Sequence, residues 1–255
     1  MPWNEEAGHV TRAFDEWKGT AADIRTFLDL TERWSTAAYE ATWAEAQSEF
    51  SAAFDPDRHD PDGHVDLFEE KVSGLWDKDY LWMVRSAALR DMVTAFEVYA
   101  EKSLVEALTR HRFATNAGAT VRLGLRVNPG HESPAWPTLV KVHGAFGNTL
   151  NTTSVAYIRS LRHVLTHQRG QLRTADQRAM FEGEGDANDW RVGEARVGGD
   201  VPLSRPRVER MMEQLNEATR SLDPAVWESA WQGKCPDAVA ALANQRNGPL
   251  TQELV

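Results

Sequence analysis

Large apolar residues recur at three- and four-residue spacing through the first fifty positions: Phe14, Trp17, Ile24, Phe27, Leu28 and Trp34. That period predicts a helix from about Asn4 to Ala53, rich in Ala and Glu and without proline, with Gly19 as a candidate break. The segment FDPDRHDPDGH (54–64) has two Asp-Pro steps and one Asp-Gly, so it reads as a loop. Helical periodicity resumes between Val65 and Ala114, as a short helix followed by a long one that carries Trp82, Leu89, Val93, Phe96, Ala100 and Leu104 on its apolar stripe. Val121, Leu123, Leu125 and Val127 alternate and predict a short strand or extended loop. PAWPTLVKVHGAFG predicts a short helix. A second amphipathic helix follows over about 151–169, stopped by Gly170 with Arg169 in the last turn. WRVGEARVGGDVPL, ending at Leu203, reads as a small β-hairpin turning at Gly198-Gly199. Ser204, with Pro206 just inside, starts another helix. Asp223-Pro224 is expected to cap a last short helix holding Trp227 and Trp231, and the tail after Asn244 is polar.

The pattern therefore predicts an all-α fold, mainly a helical bundle, with a β-hairpin near 189–203. Three parts are expected: an acidic helical extension over 1–60, a helical domain over 65–222, and a short C-terminal helix and tail over 223–255. Composition narrows the classes. The chain has 255 residues, 42% of them hydrophobic, and no run long enough to cross a membrane. The acidic N-terminus has no apolar h-region, so no secretory signal is expected. The single cysteine, Cys235, rules out an intrachain disulfide framework and points to a cytoplasmic location. No phosphate-binding Gly-rich loop and no Gly-x-Ser-x-Gly elbow occur.

Charge is uneven. The formal net charge is −10, but residues 1–70 hold 17 acids against 5 bases, a net of −12 that leaves +2 for the rest. A basic strip stands out in the less acidic part: RSLRHVLTHQRG (159–170) has three arginines, two histidines and no acid. On a helical wheel Ile158, Leu165, Leu161, Tyr157 and Val164 form a stripe to be buried. Arg159, Arg162, His163, Thr166 and His167 share the opposite arc.

A polar arc of this kind is commonly a solvated surface, but such surfaces mix both signs because acid–base pairs at i,i+4 support a helix. Between Arg159 and Arg178 five arginines and two histidines face a single acid, Asp176. Arginine suits bidentate phosphate contact, and histidine exchanges a proton near neutral pH. The i,i+4 spacing of His163 and His167 also fits two metal ligands on one helix. Val164 follows His163 where a zinc-protease motif needs glutamate, and the neighbouring arginines repel a divalent cation, so no metal or other cofactor is expected.

Arg162-His163-Val164-Leu165-Thr166-His167 resembles the Arg-x4–6-His motif of the HEPN superfamily, in which a polar residue often follows the arginine directly, as His163 does here. The surroundings are similar too: a long earlier helix with a mid-helix acid, Glu97 in TAFEVYAEKSL, then a short helix, the motif helix, a loop and a closing helix. The resemblance covers roughly residues 65–222. It implies a metal-independent endoribonuclease acting as a homodimer through the motif helix, of the kind found as toxins, in phage defence or in RNA processing. It implies catalysis by Arg162 and His167, with His163 either filling the second proton-transfer role or orienting its neighbours. Arg159, Thr166, Arg169 and Arg173 would contact RNA, and Glu97 would hydrogen-bond a motif side chain or stand as an exposed acid. Members without activity act as modules that bind a nucleotide or a protein, which is the alternative. An antitoxin or regulatory partner fits the first class, and the acidic first third could screen the basic face. No membrane partner is expected.

Overall fold

The computed structural model describes residues 1–53, 77–110, 135–181 and 201–232. Within them the chain is mainly α-helical, with six helices: α1 (Arg12–Ala53), α2 (Asp77–Arg110), α3 (Trp136–Ala145), α4 (Thr153–His167), α5 (Ala175–Phe181) and α6 (Arg205–Gln232). No helix among these residues is long and apolar enough to cross a membrane. The expected loop at 54–64, the short helix after Val65, the strand at 121–127, most of the hairpin at 189–203, Cys235 and the polar tail lie outside the described residues.

The 42 residues of α1 span about 63 Å. The helix starts at Arg12 rather than Asn4 because residues 4–9 close a tight turn, with Asn4 and His9 exchanging both backbone hydrogen bonds and Gly8 at φ +69°. Thr11 then caps the helix, its Oγ1 accepting from the Phe14 N–H at 3.1 Å. Gly19 makes no break. α1 and α2 lie antiparallel, with the register fixed by ion pairs at two levels: Lys102–Glu16 and Arg85–Glu32, each at 2.6 Å.

Between these helices the aromatic side chains interlock. Trp17 meets Phe96 edge-on with centroids 6.1 Å apart, and Phe14 meets Tyr99 at 6.4 Å. α6 closes the other side with Val208, Met212, Leu215, Leu222 and Val226. Phe14, Trp17, Leu28, Leu89, Phe96, Ile158, Leu161 and Leu215 all belong to one buried cluster. The N-terminal helix thus supplies part of the core that α2, α4 and α6 share. Arg205 ties the start of α6 to α1 through Asp29 and Glu32, and its guanidinium is held firmly charged by these acids and Glu209.

The helix break expected at Asp223-Pro224 does not occur, and α6 runs through both residues to Gln232. Proline removes one backbone donor there, but Leu222, Val226 and Ala230 are buried on one face and hold the helix in register across it. Asp223 is not free to cap a new helix because its carboxylate is already engaged. It accepts from the Trp3 indole N–H at 2.8 Å, the Thr11 N–H at 3.0 Å, the Thr11 hydroxyl at 2.5 Å and the Tyr99 hydroxyl at 3.2 Å. Burial raises its pKa against the pull of these donors, and burial beside Asp223 raises that of Tyr99.

α3 docks on α2 through His143, whose Nε2 lies 2.9 Å from the Ala100 carbonyl oxygen. A carbonyl only accepts, so Nε2 carries the proton and Nδ1 is left as a buried lone pair without a partner. Burial lowers the His143 pKa to about 4, with the bond to Ala100 working against that shift.

Replacing Asp223 with Ala is expected to destabilise the fold by about 3 kcal/mol or more, since several buried donors lose their acceptor together; urea unfolding measures this. His143 sets a pH dependence. Its folded pKa lies below its unfolded one, so the unfolded chain binds a proton the native state refuses. Stability is therefore full above about pH 6.5 and falls towards pH 4, by up to about 3 kcal/mol in total. The raised Asp223 pKa acts oppositely, and the lowered ones of Glu16 and Glu213 act in the same sense. His143→Gln should remove the His143 share of the slope between pH 6.5 and 5 in a series of urea midpoints, so that the midpoint falls less steeply than in wild type.

Candidate functional site

α4 is built as its periodicity predicts. Thr152 caps its start, accepting from the Val155 N–H at 3.3 Å, and Val155, Ile158, Leu161, Val164 and Leu165 are buried. Tyr157, expected in the buried stripe, is half-buried at its edge, where its hydroxyl lies 2.6 Å from Nη2 of the buried Arg207. The opposite face presents the basic strip. Arg159 and Arg162 are half-buried, while His163, Thr166 and His167 are exposed. The two histidine rings lie 4.7 Å apart, tilted by 47°.

The end of α4 is held by a close packing that the sequence does not announce. Gly170 sits at φ +79°, with its N–H on the Val164 carbonyl. Its carbonyl accepts from the Val201 N–H at 2.9 Å, while the Trp82 indole N–H reaches the Val201 carbonyl at 2.7 Å. The Trp82 ring stands where a Cβ on residue 170 would project, so both the backbone angle and the space require glycine there. Arg169 adopts φ +54°, which ends the helix one residue earlier than a glycine alone would.

Glu97, midway along α2, lies under the strip. Its Oε1 accepts from Arg159 Nε at 2.8 Å, and its Oε2 stands 3.9 Å from Arg162 Nη1. Trp136, the first residue of α3, lies beneath Arg159, with the guanidinium carbon over its ring, 3.7 Å from the centroid. The Trp136 indole N–H donates to Asn151 Oδ1 at 3.2 Å, and its ring packs on Phe96 at 6.3 Å. Arg159 is thus held at its edge by Glu97 and on one face by Trp136, and its charge is neutralised. Arg162 stands farther from the same carboxylate, and 33% of its side chain is exposed.

Arg162, His163, Thr166 and His167 share one exposed face, and Glu97 faces the motif arginines. Arg169 and Arg173 are exposed beyond the helix, and the Arg173 backbone N–H donates to Gln177 Oε1 in the turn before α5. No described contact joins Arg169 or Arg173 to the histidine face. The acid beside Arg162 comes from α2; Glu16, Asp29 and Glu32 of α1 are engaged with Lys102, Arg205 and Arg85 instead. These three acids of α1 bind core helices; the acids at 54–70 lie outside the described residues. Trp136 was not anticipated: a tryptophan at the start of a short helix carries no sign of which arginine it will meet.

Among the described residues, no three His, Cys, Asp or Glu side chains are close enough to hold a metal ion. Two described grooves lie away from the strip, one of about 410 Å³ between α1 and α2 beside Trp17 and Val98, the other of about 180 Å³ between α1 and α6. No protein-family profile, curated protein or solved structure matches the chain.

Gly170→Ala is expected to destabilise the protein by about 2–4 kcal/mol, combining a left-handed backbone strain with overpacking against Trp82. Thermal unfolding, together with tryptophan fluorescence reporting on Trp82, checks this.

Proposed function

We propose that the chain is a metal-independent endoribonuclease resembling the HEPN type, acting through the exposed face of α4. The observation that carries this reading is the grouping of Arg162, His163 and His167 on one solvent-facing arc, with Glu97 beneath to orient the arginines. Cleavage of RNA without a metal needs removal of the ribose 2′-OH proton, attack of that oxygen on phosphorus, stabilisation of the added negative charge, and a proton for the departing 5′-oxygen. Arg162 supplies the charge, aimed at the non-bridging oxygens. His167 exchanges the proton. His163, whose ring lies against that of His167, takes the opposite proton transfer or orients its neighbour. The products are a 2′,3′-cyclic phosphate and a 5′-hydroxyl.

One exposed helix face does not enclose a phosphodiester by itself. A second copy laid face to face across a two-fold axis would form a cleft lined by two motif helices, with two sets of the same groups. A toxin or phage-defence role, with a neutralising protein partner, is consistent with an activity that must be restrained. The alternative reading is a helical module that binds a nucleotide or a protein without cutting. It draws on the neutralisation of Arg159 by Glu97, which reduces the charge available to a transition state.

Labelled single-stranded RNA incubated in EDTA with wild type, Arg162→Ala and His167→Ala separates the two. Cleavage by wild type, lowered by about 10²-fold or more in either variant, supports the nuclease. Undiminished RNA binding with no cleavage by wild type supports the module.

A further inference from the structure

Among the described residues, Arg159 is the motif arginine whose guanidinium carbon sits over an aromatic ring, 3.7 Å from the Trp136 centroid. Glu97 meets the guanidinium at its edge, through Nε at 2.8 Å, and cancels its charge. Trp136 covers one of its two faces at 3.7 Å. The side chain is nevertheless 26% exposed, with one edge and one face engaged. A planar, neutralised group is a poor clamp for a phosphate. It is a good platform for a flat ring, because bases stack on guanidinium planes and on aromatic side chains alike.

The position of the platform matters as much as its chemistry. Arg159, His163 and His167 follow one another at i, i+4 and i+8 on α4, so they form a row with the platform at one end. The platform is also rigid. Trp136 is braced by its bond to Asn151 and its packing on Phe96, and α3 is anchored to α2 through His143 and Ala100. The ion pair and the stack together restrict Arg159 to one orientation, so little further ordering is needed when a ring settles on it.

We propose that the Trp136–Arg159 stack is a nucleobase-binding subsite. It receives the base next to the phosphate held by Arg162 and favours purines, whose larger rings cover more of the platform. The subsite deepens the nuclease reading and rests on it for the placement of the phosphate. Stacking itself needs only a single strand, so it can be measured without cleavage.

The test uses the full-length protein and fluorescein-labelled octanucleotides with 2′-O-methyl riboses, which cannot be cut: one all-adenine, one all-cytosine. Fluorescence anisotropy at low salt gives the affinities of wild type, Arg159→Lys, Trp136→Leu and Arg162→Ala. Arg159→Lys keeps the charge and can still reach Glu97 but removes the plane, and circular dichroism confirms that each variant folds. The expected result is a several-fold preference of wild type for adenine, lost in Arg159→Lys together with about tenfold of adenine affinity. Arg162→Ala should weaken both oligonucleotides alike and leave the preference intact. An unchanged preference in Arg159→Lys, or equal binding of both bases by wild type, overturns the subsite while leaving the nuclease reading standing. Wild type that binds neither oligonucleotide overturns the subsite and the RNA reading together. Should Trp136→Leu unfold, Arg159→Lys alone decides.

Discussion

The carboxylate of Asp223 holds the described fold together. It sits in α6, yet its hydrogen bonds come from Trp3 and Thr11 at the N-terminus and Tyr99 in α2. A buried carboxylate is costly unless its oxygens are occupied, and here the occupants come from segments far apart in sequence. Removing any one of the three elements leaves the charge short of donors. The N-terminal turn, the start of α1, the middle of α2 and the proline-containing stretch of α6 are therefore fixed in one arrangement. The same bond explains why α6 continues through Pro224: the residue that would have ended it is committed to another element.

α2 connects this anchor to the candidate site. Tyr99 points to Asp223, Ala100 accepts from His143, and Glu97 faces Arg159 and Arg162. Three positions within one turn of helix thus serve the core, the docking of α3 and the orientation of the basic strip. Because α2 is locked to α1 and α6, Glu97 is held at a fixed height beneath α4. The strip consequently carries two unlike arginines. Arg159 is neutralised and stacked; Arg162 is only loosely paired and keeps its charge. Helical spacing alone treats the two as neighbours on the same arc, and the difference arises entirely from what lies beneath them.

The all-α class, the helical spans and the buried and exposed faces of α4 were legible because each depends on local periodicity. An apolar residue every three or four positions must bury one stripe, and Val155, Ile158, Leu161, Val164 and Leu165 do so. Exposure of His163 and His167 followed from the same count. Misreadings occurred where a side chain has a distant partner. Asp223 looks like a cap when read with its neighbours. Asn4 to Val10 look helical until the Asn4–His9 pairing and Gly8 are seen.

The sequence by itself determined that this chain forms amphipathic helices and that one of them carries a basic, histidine-bearing face, because periodicity and charge are properties of contiguous residues. Only the tertiary structure decided that Glu97 and Trp136 flank Arg159, that Gly170 must admit Trp82, and that Asp223 gathers the N-terminus. Each of these depends on which helices pack together. That choice is made by the shape of the whole buried core and the need to pair every buried charge, and no short stretch of sequence contains it.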